Sequence, residues 1–241
     1  MSEWQIKRFW TLAAPVPADG GFGIALDGRP VRTPLRQPLV VPTRGLADLI
    51  AAEWQAQEGR VDPRTMPATR TANAAIDKVA PQRAEVVAML AAYGGSDLMC
   101  YRAPGPAALV ARQAAGWDPL LDWAAQSLGA RLAVGTGVVP VAQDAAALAR
   151  LTAQVDAMEP FALSAFHDLV SLSGSLVLAL AFARGRIDAA GAWALSRIDE
   201  DWQVEQWGAD DEATATAALK MAAFLGASRF YDLATATTPQ V

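Results

Sequence analysis

The sequence is poor in the two residue types that most often bind metals in proteins. Its 241 residues include a single cysteine, Cys100, and a single histidine, His167. One cysteine excludes an internal disulfide, and one cysteine with one histidine cannot supply the ligands of a structural zinc site. We therefore expect a protein without a metal or another cofactor, suited to a reducing compartment.

Membrane spans and targeting segments are also missing from the sequence pattern. The strongest apolar run, residues 169–183, is interrupted by serine and glycine, whereas a transmembrane helix takes about 20 apolar residues. The first residues show neither the charged and apolar regions of a secretory signal nor an arginine- and serine-rich transit peptide. The sequence predicts a buried helix at 169–183, no membrane insertion and a cytoplasmic location.

The charge balance argues against a nucleic-acid-binding protein. The formal net charge is −5, whereas nucleic-acid-binding domains usually carry a basic stripe that contacts phosphates. Residues 1–112 contain 13 Lys+Arg against 10 Asp+Glu, and residues 113–241 contain 7 against 15. We expect no nucleic-acid partner, and the second half should present the more acidic surface.

Glycine and proline are dense in the first 42 residues, and the pattern changes from residue 43 onward. Residues 9–12, 22–26, 31–33 and 38–41 are predicted to form short strands of an antiparallel sheet around a turn at 27–30. Thr43 is predicted to cap a helix that Gly59 ends, and further helices are predicted at 67–79 and 82–93.

The rest of the chain is predominantly helical in pattern. Helices are predicted at 107–128, 142–158, 160–184, 189–207 and 212–233, with a strand or extended connector within 129–140. The fold class is therefore α+β. We expect a small mixed domain with antiparallel strands at residues 1–95, followed by a larger, mainly helical domain at residues 96–241.

Few residues suggest catalysis. His167 and Asp168 could belong to a hydrolase triad with Ser164 or Ser171, but adjacent helical residues point to different faces and no G-x-S-x-G elbow is present. A structural histidine is therefore favoured. The glycine-rich segments do not complete a phosphate-binding motif, and Cys100 is expected to be a small buried residue.

The most distinctive stretch is acidic. Residues 199–212 contain seven carboxylates and no basic residue, together with Trp202 and Trp207. Near the end of a helix at 189–207, these acids would oppose the helix dipole, which indicates a role other than helix stability. A negative patch that carries two tryptophans suits a partner with basic groups. A solvated acidic face remains the alternative.

A set of collinear segments points to a known family. They are residues 8–10, 26–34, 52–54, 66–77, 93–102, 117–123, 167–168 with 174–175, and 197–203 leading to Trp207-Gly208. Together they resemble the chaperones that assemble the alpha subunit of mitochondrial and alphaproteobacterial F-type ATP synthases. The resemblance covers nearly the whole chain in the expected order.

The resemblance implies a chaperone without catalytic activity, monomeric when free. It would bind the unassembled alpha subunit and shield the surface that later meets the beta subunit. In relatives an acid just before the Gln of a Gln-x-x-x-Trp-Gly element is important, and the partner-binding residues implied here are Asp199, Glu200, Asp201, Gln203 and Trp207. The alternatives are a small hydrolase using His167 and Asp168, or a permanent structural subunit of a complex.

Overall fold

The computed structural model describes residues 7–236 and confirms an α+β protein with short N-terminal strands and a mostly helical remainder. The chain divides into two compact units. Among the described residues, unit 1 comprises 7–83, 159–165 and 226–236, and unit 2 comprises 84–158 and 166–225. The predicted domain boundary after residue 95 remains a prediction. The two units are defined by contacts in space, and two segments from the second half of the chain, 159–165 and the one that begins at 226, belong to unit 1.

The sheet of unit 1 is antiparallel, as predicted. It contains β1 (Ala13–Ala18), β2 (Gly21–Leu26), β3 (Arg29–Pro30) and β4 (Val40–Val41). β2 is central, with β1 on one side and both β3 and β4 on the other. The turn between β2 and β3 places Asp27 and Gly28 at φ 47° and 81°, the backbone that a tight hairpin requires.

The predicted strand at residues 9–12 is wrong. The backbone nitrogens of Thr11 and Leu12 donate to the carboxylate of Asp27 at 2.9 and 2.8 Å, so a side chain satisfies them instead of a strand carbonyl. Regular pairing begins only at Ala13. The predicted strand at 31–33 is wrong, because only an isolated bridge between Arg32 and Pro38 forms there, and β3 lies instead within the predicted turn. The predicted strand at 38–41 is reduced to β4.

The first helices follow the sequence prediction, except that the first one ends at Gln55 and not at Gly59. They are α1 (Arg44–Gln55), α2 (Pro67–Ala74), continued by one π-helical turn at Ala75–Val79, and α3 (Arg83–Ala91). Thr43 caps α1, since its hydroxyl oxygen accepts from the backbone nitrogen of Leu46. Glu53 of α1 caps α2 by accepting from the backbone nitrogens of Ala68 and Thr69 at 2.7 Å each.

The remaining elements begin with β5 (Tyr101–Arg102), α4 (Ala107–Ser127) and β6 (Gly135–Thr136), and β6 pairs in parallel with β5. A strand therefore does lie within residues 129–140. The helices that follow are α5 (Ala145–Asp156), α6 (Pro160–Ser173), α7 (Leu176–Ala183), α8 (Ala189–Ser196), α9 (Ile198–Trp207) and α10 (Asp211–Thr235).

The predicted helix at 160–184 is divided into α6 and α7. Gly174 adopts φ 70°, and Ser175 then begins a new helix by accepting from the backbone nitrogen of Leu178. The fully buried Asp97 accepts from the hydroxyl of Ser175 at 2.8 Å and from the backbone nitrogen of Val177 at 3.0 Å. Burial raises the pKa of Asp97, although these hydrogen bonds oppose the shift.

The predicted helix at 189–207 is also two helices, and the break has a clear cause. In a continuous helix the carbonyl of Leu195 would accept from the backbone nitrogen of Asp199. It accepts instead from the indole nitrogen of Trp117 in α4, at 2.8 Å. Arg197 lies between the helices at φ −111° and ψ 6°, and α9 begins at Ile198.

The apolar run at 169–183 is part of the protein core, as predicted. Residues 176–182, which make up nearly all of α7, are buried. Within residues 7–236 no helix has both the length and the apolar composition needed to span a bilayer.

Candidate partner-binding surface

The acidic residues of α9 lie at the start of a helix and not near the end of one. Because the chain breaks at Arg197, the residues Asp199, Glu200 and Asp201 form the first turn of α9. The N-terminus of a helix carries partial positive charge and favours carboxylates. The expectation that these three acids oppose the helix dipole is therefore wrong. Their negative charge is explained by its favourable interaction with the N-terminus of α9.

The same explanation covers the acids that precede and begin α10. Asp210 accepts from the backbone nitrogen of Ala213 at 2.8 Å, and Asp211 and Glu212 form the first turn. Six of the seven carboxylates in residues 199–212 thus lie at helix N-termini, with Glu205 as the exception. A binding role for this stretch needs support from its individual contacts and exposure.

Asp199 points into the protein. Its Oδ1 accepts from the side-chain amide of Gln113 in α4 at 2.6 Å, and the amide oxygen of Gln113 accepts from the backbone nitrogen of Ala103 at 2.9 Å. Gln113 is only 1% exposed, so its amide has no access to water as a substitute partner. Asp199 is half-buried, and one of its carboxylate oxygens anchors α9 to α4.

Glu200 and Asp201 are exposed and project outward. The carboxylate of Glu200 pairs with Arg197 at 2.9 Å, and the guanidinium of Arg197 also lies 5.8 Å from the ring centre of Trp193. Asp201 is exposed. Within the described residues it forms no ion pair, although its charge helps to raise the pKa of Arg112.

Arg112 of α4 binds the outer side of α9. Its two terminal nitrogens donate to the two carboxylate oxygens of Glu205 at 2.8 Å each, and its guanidinium lies 4.9 Å from the ring centre of Trp202. The hydrogen bonds from Arg112 lower the pKa of Glu205, and those to Glu205 raise the pKa of Arg112. A bidentate pair that also stacks on an aromatic ring fixes orientation as well as charge.

The remaining predicted residues face solvent near the C-terminal end of α9. Gln203 is exposed, and Trp207 is 79% exposed. Val204, one turn before Trp207, is 44% exposed. α9 ends at Gly208, which adopts φ 90°, as the sequence predicted. Tryptophan is highly buried on average in folded proteins, and Trp207 is far more exposed than that average.

The structure thus separates the five predicted residues into two groups. Glu200, Asp201, Gln203 and Trp207 lie on the accessible side of α9, whereas Asp199 is turned towards α4. Leu195, Ile198 and Trp202 recur at helical spacing, which predicts a buried stripe. Only Ile198 is buried, and the other two side chains are half-buried.

Arg112 and Gln113, which hold α9, were missed by sequence reasoning. They are adjacent in α4 and lie 93 and 86 positions before their acidic partners. Neither belongs to a local motif, and nothing in their own segment distinguishes them from other polar residues of an amphipathic helix. Only the tertiary contact between α4 and α9 identifies them.

His167 and Asp168 do approach each other, contrary to the expectation that they face apart. Nδ1 of His167 and Oδ1 of Asp168 are 3.0 Å apart, and this hydrogen bond raises the pKa of His167. The hydroxyl of Ser164 donates to the carbonyl of Thr71, and that of Ser171 donates to the carbonyl of Asp168. Both serine protons are therefore engaged with the backbone, which does not activate either serine as a nucleophile.

Cys100 is buried, as predicted. Burial raises the pKa of its thiol to about 12, so the thiolate that reacts or binds metals is strongly disfavoured. No group of three or more potential metal ligands is found within residues 7–236.

Comparison with known proteins gives consistent matches. A family model described as ATP12 chaperone protein matches residues 7–125. Mitochondrial atp12 from Schizosaccharomyces pombe is 25% identical over 219 residues, which cover 86% of this chain and 75% of that protein.

Two solved structures extend the match into the acidic helices. The crystal structure of Atp12 from Paracoccus denitrificans has a TM-score of 0.92 and 54% identity, covering 96% of this chain and all of that one. An aspartate-to-lysine mutant of P. denitrificans Atp12p gives the same TM-score and identity, covering 97% of this chain and 100% of that one.

Proposed function

Because this chain belongs to the ATP12 chaperone family, we propose that it binds the unassembled alpha subunit of an F-type ATP synthase and prevents its aggregation before assembly with the beta subunit. The chain is a chaperone of that family, and the identity of its client is our proposal. An unassembled subunit exposes an apolar interface that associates with itself unless it is covered. A chaperone that shields this interface must also release it.

The exposed side chain of Trp207 is the observation that supports a protein client most directly. It is 79% exposed at the end of α9, with the 44% exposed Val204 one turn away. Aromatic side chains that become buried at an interface contribute a large share of binding energy. We therefore assign Trp207 as the apolar anchor of the client-binding surface.

The acids around this anchor have different roles in the proposal. Asp201 is exposed and forms no ion pair within the described residues, and Glu200 shares its charge with Arg197. These two residues contact basic groups of the client and accelerate association through electrostatic steering. Asp199 acts through the position of α9, because its carboxylate binds Gln113. Gln203 supplies a neutral polar contact on the same exposed side.

Charge reversal on the exposed side of α9 is tested with Asp201→Lys. Asp201 is the exposed acid of α9 without an ion pair among residues 7–236.

The experiment measures light scattering of freshly diluted alpha subunit with and without the chaperone, followed by gel filtration. The wild-type chain should suppress aggregation and elute with the alpha subunit. Trp207→Ala should weaken the complex at least tenfold, because a buried aromatic anchor contributes about 2 kcal/mol or more. Leu35→Ala is the matched control, since Leu35 is 65% exposed in unit 1.

Charge reversal at Asp201 has its own control. Asp201→Lys should weaken the complex, while Glu58→Lys makes the same change of charge at an exposed position of unit 1. Unchanged aggregation and separate elution of the wild-type chain would disprove the proposal. Constant recovery with the mature synthase would instead indicate a permanent structural subunit.

A further inference from the structure

One face of α10 changes from buried to open along the helix. In its second half Phe224, Ala227 and Tyr231 are buried. The residues Ala213, Thr216, Ala217 and Lys220 precede them on the same face, at intervals of three and four. These four residues line an open cleft in unit 2. The core-facing side of α10 therefore continues into a region that the chain leaves uncovered.

The opposite wall of the cleft belongs to the start of α9. Arg197 and Glu200 line it, joined by their 2.9 Å ion pair. The cleft volume is about 440 Å³, within the range of about 300–1,000 Å³ typical of ligand-binding clefts. A cleft of this size takes inserted side chains of a partner.

Charge is unevenly distributed along the cleft. Asp210 and Glu212 line the end near the N-terminus of α10, and Lys220 lines the other end. Asp211, between the two acids, is exposed. The helix N-terminus adds partial positive charge, but the two carboxylates that line this end exceed it. The acidic end therefore suits a cationic side chain, and small Ala213 and Ala217 leave room for it.

We propose that this cleft receives an arginine or lysine side chain from an exposed helix or loop of the client, next to the apolar contact made by Trp207. The inference rests on the proposed function and specifies the chemistry of the client segment. The cationic group lies at the acidic end of the cleft, and the segment packs against Ala213 and Ala217. Only Gly208 and Ala209 separate Trp207 from Asp210, which lines the cleft. One client segment can therefore reach both Trp207 and the cleft.

The test fills the cleft without changing its charge. Ala213→Trp places a large side chain in the cleft, and Ala213 is exposed, so the substitution is compatible with folding. Ala215→Trp is the matched control, because residues two apart point about 200° apart around a helix. Affinity for the alpha subunit is measured by fluorescence anisotropy of a labelled chaperone. Ala213→Trp should weaken binding at least tenfold, and Ala215→Trp should leave it within twofold.

A second variant tests the charge. Glu212→Lys should weaken binding and flatten its salt dependence, because a cationic client group would lose an attractive partner. Circular dichroism confirms that each variant is folded. If wild-type chain binds the alpha subunit and Ala213→Trp binds as tightly as Ala215→Trp, the cleft proposal is wrong and the proposed function stands. If the wild-type chain does not bind the alpha subunit, both proposals are wrong.

Discussion

The side-chain amide of Gln113 and the carboxylate of Asp199 are 2.6 Å apart, so one acid of α9 fastens that helix to α4. The acidic stretch therefore combines a structural anchor with outward charges. Loss of the anchor and loss of the outward charges should have different consequences.

Asp199→Ala should destabilise the fold. It removes the partner of the buried Gln113 amide, and an unsatisfied buried polar group costs about 1–3 kcal/mol. The free energy of unfolding in urea measures this loss. Asp201→Ala is the control, because Asp201 is exposed and surface substitutions usually change stability by less than about 0.5 kcal/mol. Equal changes in the two variants would contradict the assignment of Asp199 as an anchor.

Gly116 of α4 permits the close approach of the segment around Arg197. A Cβ atom at this position would lie 2.8 Å from Cδ1 of Ile198 and 2.9 Å from Cδ2 of Leu195. Both atoms are the ends of flexible side chains that can shift, so Gly116→Ala should cost only about 1 kcal/mol through overpacking. A gain of about 1 kcal/mol in helix propensity offsets this cost, so the substitution should bring no net stabilisation.

Thermal unfolding of Gly116→Ala should be compared with that of Gly226→Ala. A Cβ atom at Gly226, within α10, would meet no atom within 4 Å. Gly226→Ala should raise the melting temperature. A similar rise for Gly116→Ala would show that α9 can move away from α4 at little cost.

The contact between His167 and Asp168 should be detectable in the titration of His167. As the sole histidine of the chain, His167 gives one imidazole signal by NMR, and its pKa should lie above the ordinary value of about 6.5. Asp168→Asn should lower this pKa, because the hydrogen bond from Nδ1 to the carboxylate is its main cause.

The raised pKa also sets the direction of a stability effect. The contribution is fully present below the unfolded pKa of about 6.5 and is lost as pH rises through the folded value. The stability difference between wild type and Asp168→Asn should therefore be larger near pH 5 than near pH 8. With both side chains over 40% exposed, it should stay below about 1 kcal/mol. A larger stability difference near pH 8 would contradict the raised pKa of His167.

The edge strand β1 of the sheet in unit 1 offers few groups for pairing with an additional strand. Odd-numbered residues of β1 point their backbone nitrogens away from β2. Pro15 and Pro17 have no N–H, and the nitrogen of Ala13 donates to the side chain of Gln55 at 2.8 Å. An edge without free donors resists pairing with another chain.

Replacing both prolines with valine should therefore promote self-association, measured by sedimentation velocity at increasing concentration. A variant with Ala14→Val and Ala18→Val adds apolar groups at positions whose nitrogens face β2, and it should remain unchanged. If the variant with both prolines replaced stays monomeric, another feature protects the edge.

Much of the fold was predictable from local patterns. The turn at Asp27 and Gly28, the Thr43 cap and the helix at 67–79 depend on residues adjacent in sequence. The segments that carry the family resemblance include Glu53 and Asp97, which bind the N-termini of α2 and α7. Both side chains satisfy backbone groups at the start of a helix.

The sequence by itself determined the fold class, the positions of most helices and the acidic, tryptophan-containing segment, because periodicity, capping residues and composition act locally. The tertiary structure alone decided where the long helices break and which acids face outward. The indole of Trp117 takes the carbonyl of Leu195, which turns Asp199, Glu200 and Asp201 into the first turn of a new helix. A side chain 78 positions away thus sets their direction, and no local pattern carries that information.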